Sequence, residues 1–402
     1  MKKITFLGDI MAEPPVLKAA KRKDGSYDFS GVFARVRPLL AKSDYVVGNL
    51  ETPLAGEAAG YTRNHLGFNA PDAYARACKE AGIDLLSTAN NHTFDRGYEG
   101  MERTVQLLES KGLAHTGTYM RGEERPVAHF ATVGDTKIAV IAYTYDTNYD
   151  GKYLVEGEYA GTVNLLCSQK ANTYLPGVYR GRDWVDHLFK HIKWVKDANV
   201  KGQLKKLLGM TATYSRHDDC LDGKTDTPYI AQMQADIRAA KKQADLVFFY
   251  PHVGGQFNIK PGAFSEYVID KAVEAGADAV IATHSHIPQK LVSKNGVPCS
   301  YCLGNFNMNP RSYLAMPEIL THYGYALHLY VEDKKLSRVT FSMMLNYVEK
   351  DGQISSYPID ELYATLKTEK EKAKLEKDVR HLYGRITGRV LKDEIIRREY
   401  EM

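Results

Sequence analysis

The sequence is poor in cysteine and tryptophan, has no long apolar run and carries almost no net charge, and each shortage removes a class of protein. Its five cysteines, an odd number, stand scattered at Cys78, Cys167, Cys220, Cys299 and Cys302, which is no disulfide framework. Cys299 and Cys302 have C-x-x-C spacing, but no second pair completes a zinc site and their surroundings read as a strand, so they are taken as structural. No stretch approaches the roughly 20 apolar residues of a membrane span. The N-terminus, Met1 to Asp9, turns polar too early for the apolar segment of a signal peptide. The expected protein is therefore soluble, without a transmembrane anchor, and either cytoplasmic or exported with its signal already removed. The 53 basic residues face 49 acidic ones, a net charge of +4, which argues against a nucleic acid as partner. No repeat or low-complexity segment is visible, and nothing in the sequence fixes an oligomeric state.

What is present is a large core. With 402 residues, 44% of them hydrophobic, the chain is long enough for one big domain carrying an insertion, or for two domains. The pattern is α/β. Ile4 to Leu7 reads as a strand ending at Gly8-Asp9, where glycine would let a ligand approach a carboxylate. Phe29 to Ala41 has helical spacing, and Asp44 to Leu50 is a strand running into Asn49 and Glu51. After a helix following Pro71, the strand Ile83 to Leu86 opens into Ser87-Thr88-Ala89-Asn90-Asn91-His92-Thr93-Phe94-Asp95-Arg96-Gly97. Tyr98 to Lys111 is the next helix and Ile138 to Tyr143 the next strand. The pattern resumes with a helix at Tyr229 to Lys242 and a strand at Ala244 to Tyr250, which ends in Pro251-His252. A helix at Tyr267 to Ala275 leads to Ala277 to Ala282, ending in Thr283-His284-Ser285-His286. Two hairpins follow, about Asn295-Gly296 and Asp333-Lys334-Lys335.

The organisation expected is a domain over 1–355, interrupted at about 146–227, and a C-terminal helical extension over 356–402 packed on the outside. The insertion holds both tryptophans, Trp184 and Trp194, and a basic run that includes Lys170, Arg180, Arg182, Lys190 and Arg216. It reads either as a solvated helical face or as a lid whose positive field draws an anionic substrate.

A single Asn or His after a strand is ordinarily a turn or cap residue. Here the same event recurs along the chain, and strand ends of an α/β sheet face a crevice where loops hold reactive groups on a rigid frame. Collected, the strand-end residues are Asp9, Asn49, Glu51, Asn91, His92, His252, His284 and His286. Mixed carboxylate, amide and imidazole donors suit Mn²⁺, Fe or Zn²⁺ better than Ca²⁺ or Mg²⁺, and the absence of thiols argues against a structural zinc. If the His284–His286 segment is extended, the two imidazoles point the same way. Arg63, Asn64 and His65, on the loop before the third strand, are candidates for contacts to an anionic substrate.

At this point the residues resemble a family. Leu7-Gly8-Asp9-Ile10-Met11, Asn49-Leu50-Glu51, Ala89 to Gly97, His252-Val253-Gly254-Gly255-Gln256-Phe257, Thr283 to Gln289 and Tyr301 to Phe306 resemble, in order, the motifs of the CapA (poly-γ-glutamate capsule biosynthesis) family of the calcineurin-like metallophosphoesterase superfamily. The resemblance covers roughly residues 1–310. It implies a four-layer α/β/β/α sandwich with two divalent metal ions at the strand ends. Asp9 and His286 would hold one ion, and Asn91, His252 and His284 the other, with Glu51 bridging or between them and Asn49 a further ligand. His92 would protonate the leaving group, with Asp95 orienting it. The implied activity is metal-dependent hydrolysis of an anionic small molecule or polymer, a phosphoester or a γ-glutamyl-type chain; the alternative is an auxiliary, polyanion-handling part in capsule-polymer synthesis or export. Three departures stand out. Met11 sits where the wider superfamily has histidine, Gln256 and Val253 replace a carboxylate and an indole, and the histidine doublet is reduced to His284-Ser285-His286.

Overall fold

The computed structural model describes residues 1–63, 67–148, 151–172, 215–310, 319–350 and 352–402. Its strands are β1 (Lys2–Ile10), β2 (Tyr45–Leu50), β3 (Leu85–Ser87), β4 (Ala114–Thr116), β5 (His129–Val133), β6 (Thr136–Thr144), β7 (Leu246–His252), β8 (Ala279–Ile281), β9 (Leu291–Lys294), β10 (Val297–Ser300), β11 (Asn305–Asn307), β12 (Tyr323–Glu332), β13 (Lys335–Val348), β14 (Ile354–Pro358) and β15 (Tyr400–Glu401). They form two sheets. One runs β14-β13-β12-β1-β2-β3-β4, with β11 on β1 and β15 on β13; the other runs β5-β6-β7-β8-β10-β9. The neighbours β1, β2, β3 and β4 are parallel, as are β6, β7, β8 and β10. Parallel neighbours put several strand C-termini on one side of each sheet.

Alternation along the strands makes the layers. Ile4, Phe6, Val47 and Leu85 of the first sheet meet Val140, Leu246, Phe248, Tyr250 and Ile281 of the second in one core. Phe6 lies edge-on between Phe248 and Tyr250, with ring centroids 5.7 and 5.5 Å away. The opposite face of the first sheet (Val46, Leu50, Leu86) is covered by Leu17, Phe33, Leu40 and Tyr74 from its helices. The opposite face of the second (Ala139, Val247, Phe249, Val280) is covered by helices Pro228–Lys241 and Ala263–Ala275 through Ile230, Met233, Val268 and Ile269. That is a four-layer α/β/β/α sandwich.

Two expectations change. Phe29 to Ala41 is not one helix but two turns, Ser30–Phe33 and Arg37–Leu40, because Pro38 cannot donate into a continuing ladder. The C-terminal helix is an outer helix with one buried stripe, and the segment is tied into the domain. The 355/356 division falls inside β14, helix Glu369–Thr387 sends Leu375, Val379, Leu382 and Ile386 into the core between the sheets, and β15 pairs with β13. The helix is stopped at each end by its own sequence: Thr368 and Glu371 form a capping box and Gly388 takes a left-handed turn at φ 71°. Among the described residues no helix is long and apolar enough to cross a membrane.

Candidate metal centre

The strand ends of the two sheets meet over Glu51. By alternation on β2, Val47 faces the inter-sheet core while Val46 and Leu50 face the helices, so Asn49 and Glu51 point inward. On β7 the same parity turns Leu246, Phe248 and Tyr250 inward and carries His252 with them.

Asp9 reaches the centre by another route. Ile4 and Phe6 face the core, yet Leu7 and Ile10 both face the helices. The phase changes because the pairing of β1 with β2 shifts register between Phe6 and Asp9, and an extra residue in a strand re-aims the side chain after it. Gly8 serves that bend rather than ligand access: a Cβ there would lie 1.9 Å from the Gly304 carbonyl oxygen. The close approach brings Asn305 beside His286.

The two histidines after β8 also depart from expectation. The ladder of β8 ends at Ile281, so nothing enforces extended backbone beyond it. His284 and His286 adopt φ 104° and 56°. Such conformations cost on the order of 1–3 kcal/mol each, and non-glycine residues hold them where the surroundings over-determine the geometry. Strand parity would send His284 toward the helices; the left-handed backbone turns it in instead.

The side chains then converge. Asp9 and Glu51 are fully buried and His252, His284 and His286 nearly so. Asp9 Oδ2 lies 3.2 Å from His286 Nδ1. His252 Nε2 lies 2.8 Å from Asn91 Oδ1, 3.1 Å from His284 Nδ1 and 3.4 Å from Glu51 Oε1. Glu51 Oε1 is also 3.7 Å from His286 Nε2. Bonds of about 2.0–2.2 Å from one ion put neighbouring ligand atoms about 3 Å apart, the spacing found here. Among the described residues, two sets of three have ligand atoms within 4.8 Å of one another: Glu51, His284 and His286, and Asp9, Glu51 and His252. Glu51 is common to both, and neither of its oxygens has a hydrogen-bond partner. A fully buried carboxylate without a donor is costly unless a cation completes it, so the residues fit a divalent metal.

Electrostatics follow from this packing. Burial and the neighbouring charges of His252 and His286 push His284 well below the ordinary imidazole range, so it stays neutral with a free lone pair. Burial works against the ionised form of Asp9, but the hydrogen bond and charge of His286 outweigh it and hold the carboxyl low. Burial also opposes a charge on His286, yet Glu51 and Asp9 carry it up to about 9.

His92 stands at the edge of the cluster, its Nε2 4.0 Å from Glu51 Oε1 and its Nδ1 2.7 Å from Asp95 Oδ2. Asp95 also accepts from the Phe68 backbone N–H at 2.6 Å, and the Phe68 ring packs on the imidazole at 4.4 Å. Burial lowers the basicity of His92, but the charge and hydrogen bond of Asp95 more than restore it, and its pKa is raised above the ordinary value.

Asn49 sits against the cluster with its amide nitrogen on Asp9 (2.8 Å) and its oxygen accepting from Asn90 (3.3 Å). Arg63 is exposed and lines an open cleft with Gly60, Tyr61, Gly67, Asp95 and Arg96, while Asn64 and His65 lie outside the described residues. Most of the basic run of the insertion lies outside them too; Lys170 pairs with Glu156 at 3.0 Å. Met11 is buried, and its backbone N–H and carbonyl are taken by Asn307 and Tyr74. Three further residues support the cluster. Asn305 Oδ1 meets His286 Nδ1 at 2.9 Å, Thr283 Oγ1 meets His252 Nδ1 at 2.9 Å, and Asn148 meets Asn91. Asn305 and Thr283 lie inside the recurring strand-end motifs, whereas no local signal marks Asn148.

Two stacked sheets between helices, with carboxylates and imidazoles gathered at their strand ends, define a four-layer α/β/β/α protein with a candidate metal centre. The chain belongs to the family of bacterial capsule synthesis proteins PGA_cap, whose model matches residues 3–310. It is 26% identical over 307 residues to the capsule biosynthesis protein CapA of Bacillus anthracis, covering 75% of this chain and 59% of that one. It is 24% identical over 311 residues to the PGA biosynthesis protein CapA of Bacillus subtilis (strain 168), covering 75% and 62%. The chain thus spans about three fifths of the length of these curated relatives. Among solved structures it is similar to a hypothetical protein from Thermus thermophilus, at a TM-score of 0.42 and 15% identity, covering 85% of this chain and 98% of that one.

Proposed function

We propose that the chain is a metal-dependent hydrolase that holds two divalent ions, Mn²⁺, Fe or Zn²⁺, on either side of Glu51 and acts on an anionic substrate, a phosphoester or a γ-glutamyl-type chain. The observation that carries the reading is the Glu51 carboxylate, buried with both oxygens unpartnered among three imidazoles. The family resemblance would place Asp9 and His286 on one ion and Asn91, His252 and His284 on the other, whereas the converging atoms group Glu51 with His284 and His286, and with Asp9 and His252; Glu51 is shared in either division. When bound, such a pair supplies a hydroxide at neutral pH and offsets negative charge on the attacked group.

The remaining work falls to the chain. His92 Nδ1–H donates to Asp95, which fixes the tautomer and leaves Nε2 as the atom facing the cluster. Against burial, the Asp95 charge and hydrogen bond raise the pKa of His92 and so favour the protonated ring, whose Nε2–H can be delivered to a leaving oxygen or nitrogen. Burial of Asp9, Glu51 and the imidazoles keeps bulk water from competing for their lone pairs. Arg63, exposed along the cleft that reaches Asp95, meets the anionic part of the substrate.

A second reading is supported by the names of the relatives, a capsule and a PGA biosynthesis protein. In it the same cluster binds a polyanion during polymer synthesis or export without cutting it. The deciding experiment is elemental mass spectrometry on protein purified without chelator, followed by turnover of phosphodiester, phosphomonoester and γ-glutamyl probes by wild type and His92→Ala. About two equivalents of metal, with turnover lost and metal retained in His92→Ala, supports the hydrolase. Metal with no turnover on any probe favours the binding role, and no metal after reconstitution defeats both.

A further inference from the structure

Asn148, the third residue of the insertion, makes a contact that the hydrolytic reading does not use. Its Oδ1 accepts a hydrogen bond from Asn91 Nδ2 at 3.1 Å. That bond occupies the amino side of the Asn91 amide and so leaves its oxygen aimed at His252 Nε2, 2.8 Å away. An unsupported amide has two orientations differing by a half-turn, and only one offers oxygen to a cation. Asn148 Nδ2 also comes within 3.4 Å of His92 Nδ1. That nitrogen already donates to Asp95, so two donors face each other and the approach is no hydrogen bond.

Asn148 is built into place. It holds φ 51°, a left-handed backbone that asparagine tolerates better than most residues. Described residues before and after it are held by hydrogen bonds. Thr144 Oγ1 donates to the Asp146 carbonyl at 2.7 Å, and Gln169 Nε2 donates to Thr147 Oγ1 at 2.7 Å and to the Tyr153 carbonyl at 2.8 Å. Further along, the Leu154 N–H and carbonyl both bond to the hydroxyl of Tyr98, in the helix that follows the His92–Asp95 turn.

We infer that Asn148 is a positioning residue: from the base of the insertion it sets the orientation of the Asn91 amide and thereby the affinity of the metal that Asn91 holds. The inference rests on the metal-dependent reading above and adds that the insertion takes part in metal binding. Losing a group that orients a metal ligand typically costs about 10–100-fold in affinity. Asn148 is exposed, water competes for Asn91 Nδ2, and the effect belongs at the low end, about 10-fold.

The test is calorimetric titration of Mn²⁺ into the chelator-stripped full chain, for wild type, Asn148→Gly, Asn91→Ala and the double variant. Glycine keeps the left-handed backbone free of strain, so only the amide is lost. Asn148→Gly is expected to weaken, about 10-fold, the binding step that Asn91→Ala removes. On the Asn91→Ala background, Asn148→Gly is expected to change the remaining step less than twofold, because its effect passes through Asn91. Wild-type affinity in Asn148→Gly, or a comparable loss in the step that remains on the Asn91→Ala background, would overturn the inference and leave the hydrolase reading intact. A wild-type chain that takes up no Mn²⁺, Fe or Zn²⁺ would overturn the reading itself and the inference with it.

Discussion

Replacing Glu51 by glutamine removes one charge and changes almost no volume, and its consequence can be worked from the geometry. Glu51 belongs to both sets of converging ligands and its two oxygens have no other partner. A metal present at 100 times its dissociation constant stabilises the folded chain by about 2.7 kcal/mol per ion. Unfolding entropy scales with length, and for 402 residues it amounts to about 0.8 kcal/mol per kelvin, so each ion raises the melting temperature by about 3 °C. Two ions give about 6 °C. Because both ions lean on Glu51, Glu51→Gln is expected to lose nearly the whole increment, leaving a metal-dependent shift of about 1 °C or less. The measurement is differential scanning fluorimetry of wild type and variant, each with EDTA and with excess Mn²⁺. Comparing the increments cancels whatever the substitution does to the metal-free fold. A variant that keeps the full wild-type increment would refute the assignment of Glu51 as the shared ligand.

Three other outcomes follow from the same geometry. Phe6→Ala empties the contact between the sheets and is expected to cost about 3–5 kcal/mol in urea unfolding; a loss under 1 kcal/mol would mean that the two sheets do not depend on that ring. Glu399 anchors the C-terminal segment to Lys3 (2.6 Å) and Thr340 (2.6 Å); burial opposes its charge, but these partners hold its pKa at about 2. A depressed carboxyl contributes stability above its unfolded pKa, near 4.5, and loses it as pH falls through 2. Glu399→Gln should therefore be less stable than wild type by about 2–3 kcal/mol at pH 6, with the gap shrinking steadily from pH 4.5 downward; a gap independent of pH would contradict the assignment. Arg63→Ala is expected to raise KM for an anionic probe several-fold with kcat little changed, and a fall in kcat alone would place Arg63 at the reacting group instead.

Much of the centre was legible because strand alternation is a local code. Val46 and Leu50 facing out oblige Asn49 and Glu51 to face in, and Leu246, Phe248 and Tyr250 carry His252 to the same side. The recurrence of polar residues just past apolar strands marked Asp9, Asn91, His284 and His286 as well. What the pattern could not supply was the aim of those side chains. Asp9 has the wrong parity for the core until the register shift after Phe6 corrects it, and that shift depends on Gly304, nearly three hundred residues away, coming to rest against Gly8.

The sequence by itself thus determined most of the strands flanking the centre and the chemical character of their ends, because side-chain periodicity depends only on neighbours a few residues apart. The tertiary structure alone decided which ends meet. It turned His284 and His286 inward on left-handed backbone, brought Asn305 against His286 and Asn148 against Asn91, and packed one face of the C-terminal helix onto the core. Each of these is a contact between segments far apart in the chain. Its geometry is fixed by strand pairing and packing rather than by the residues beside it.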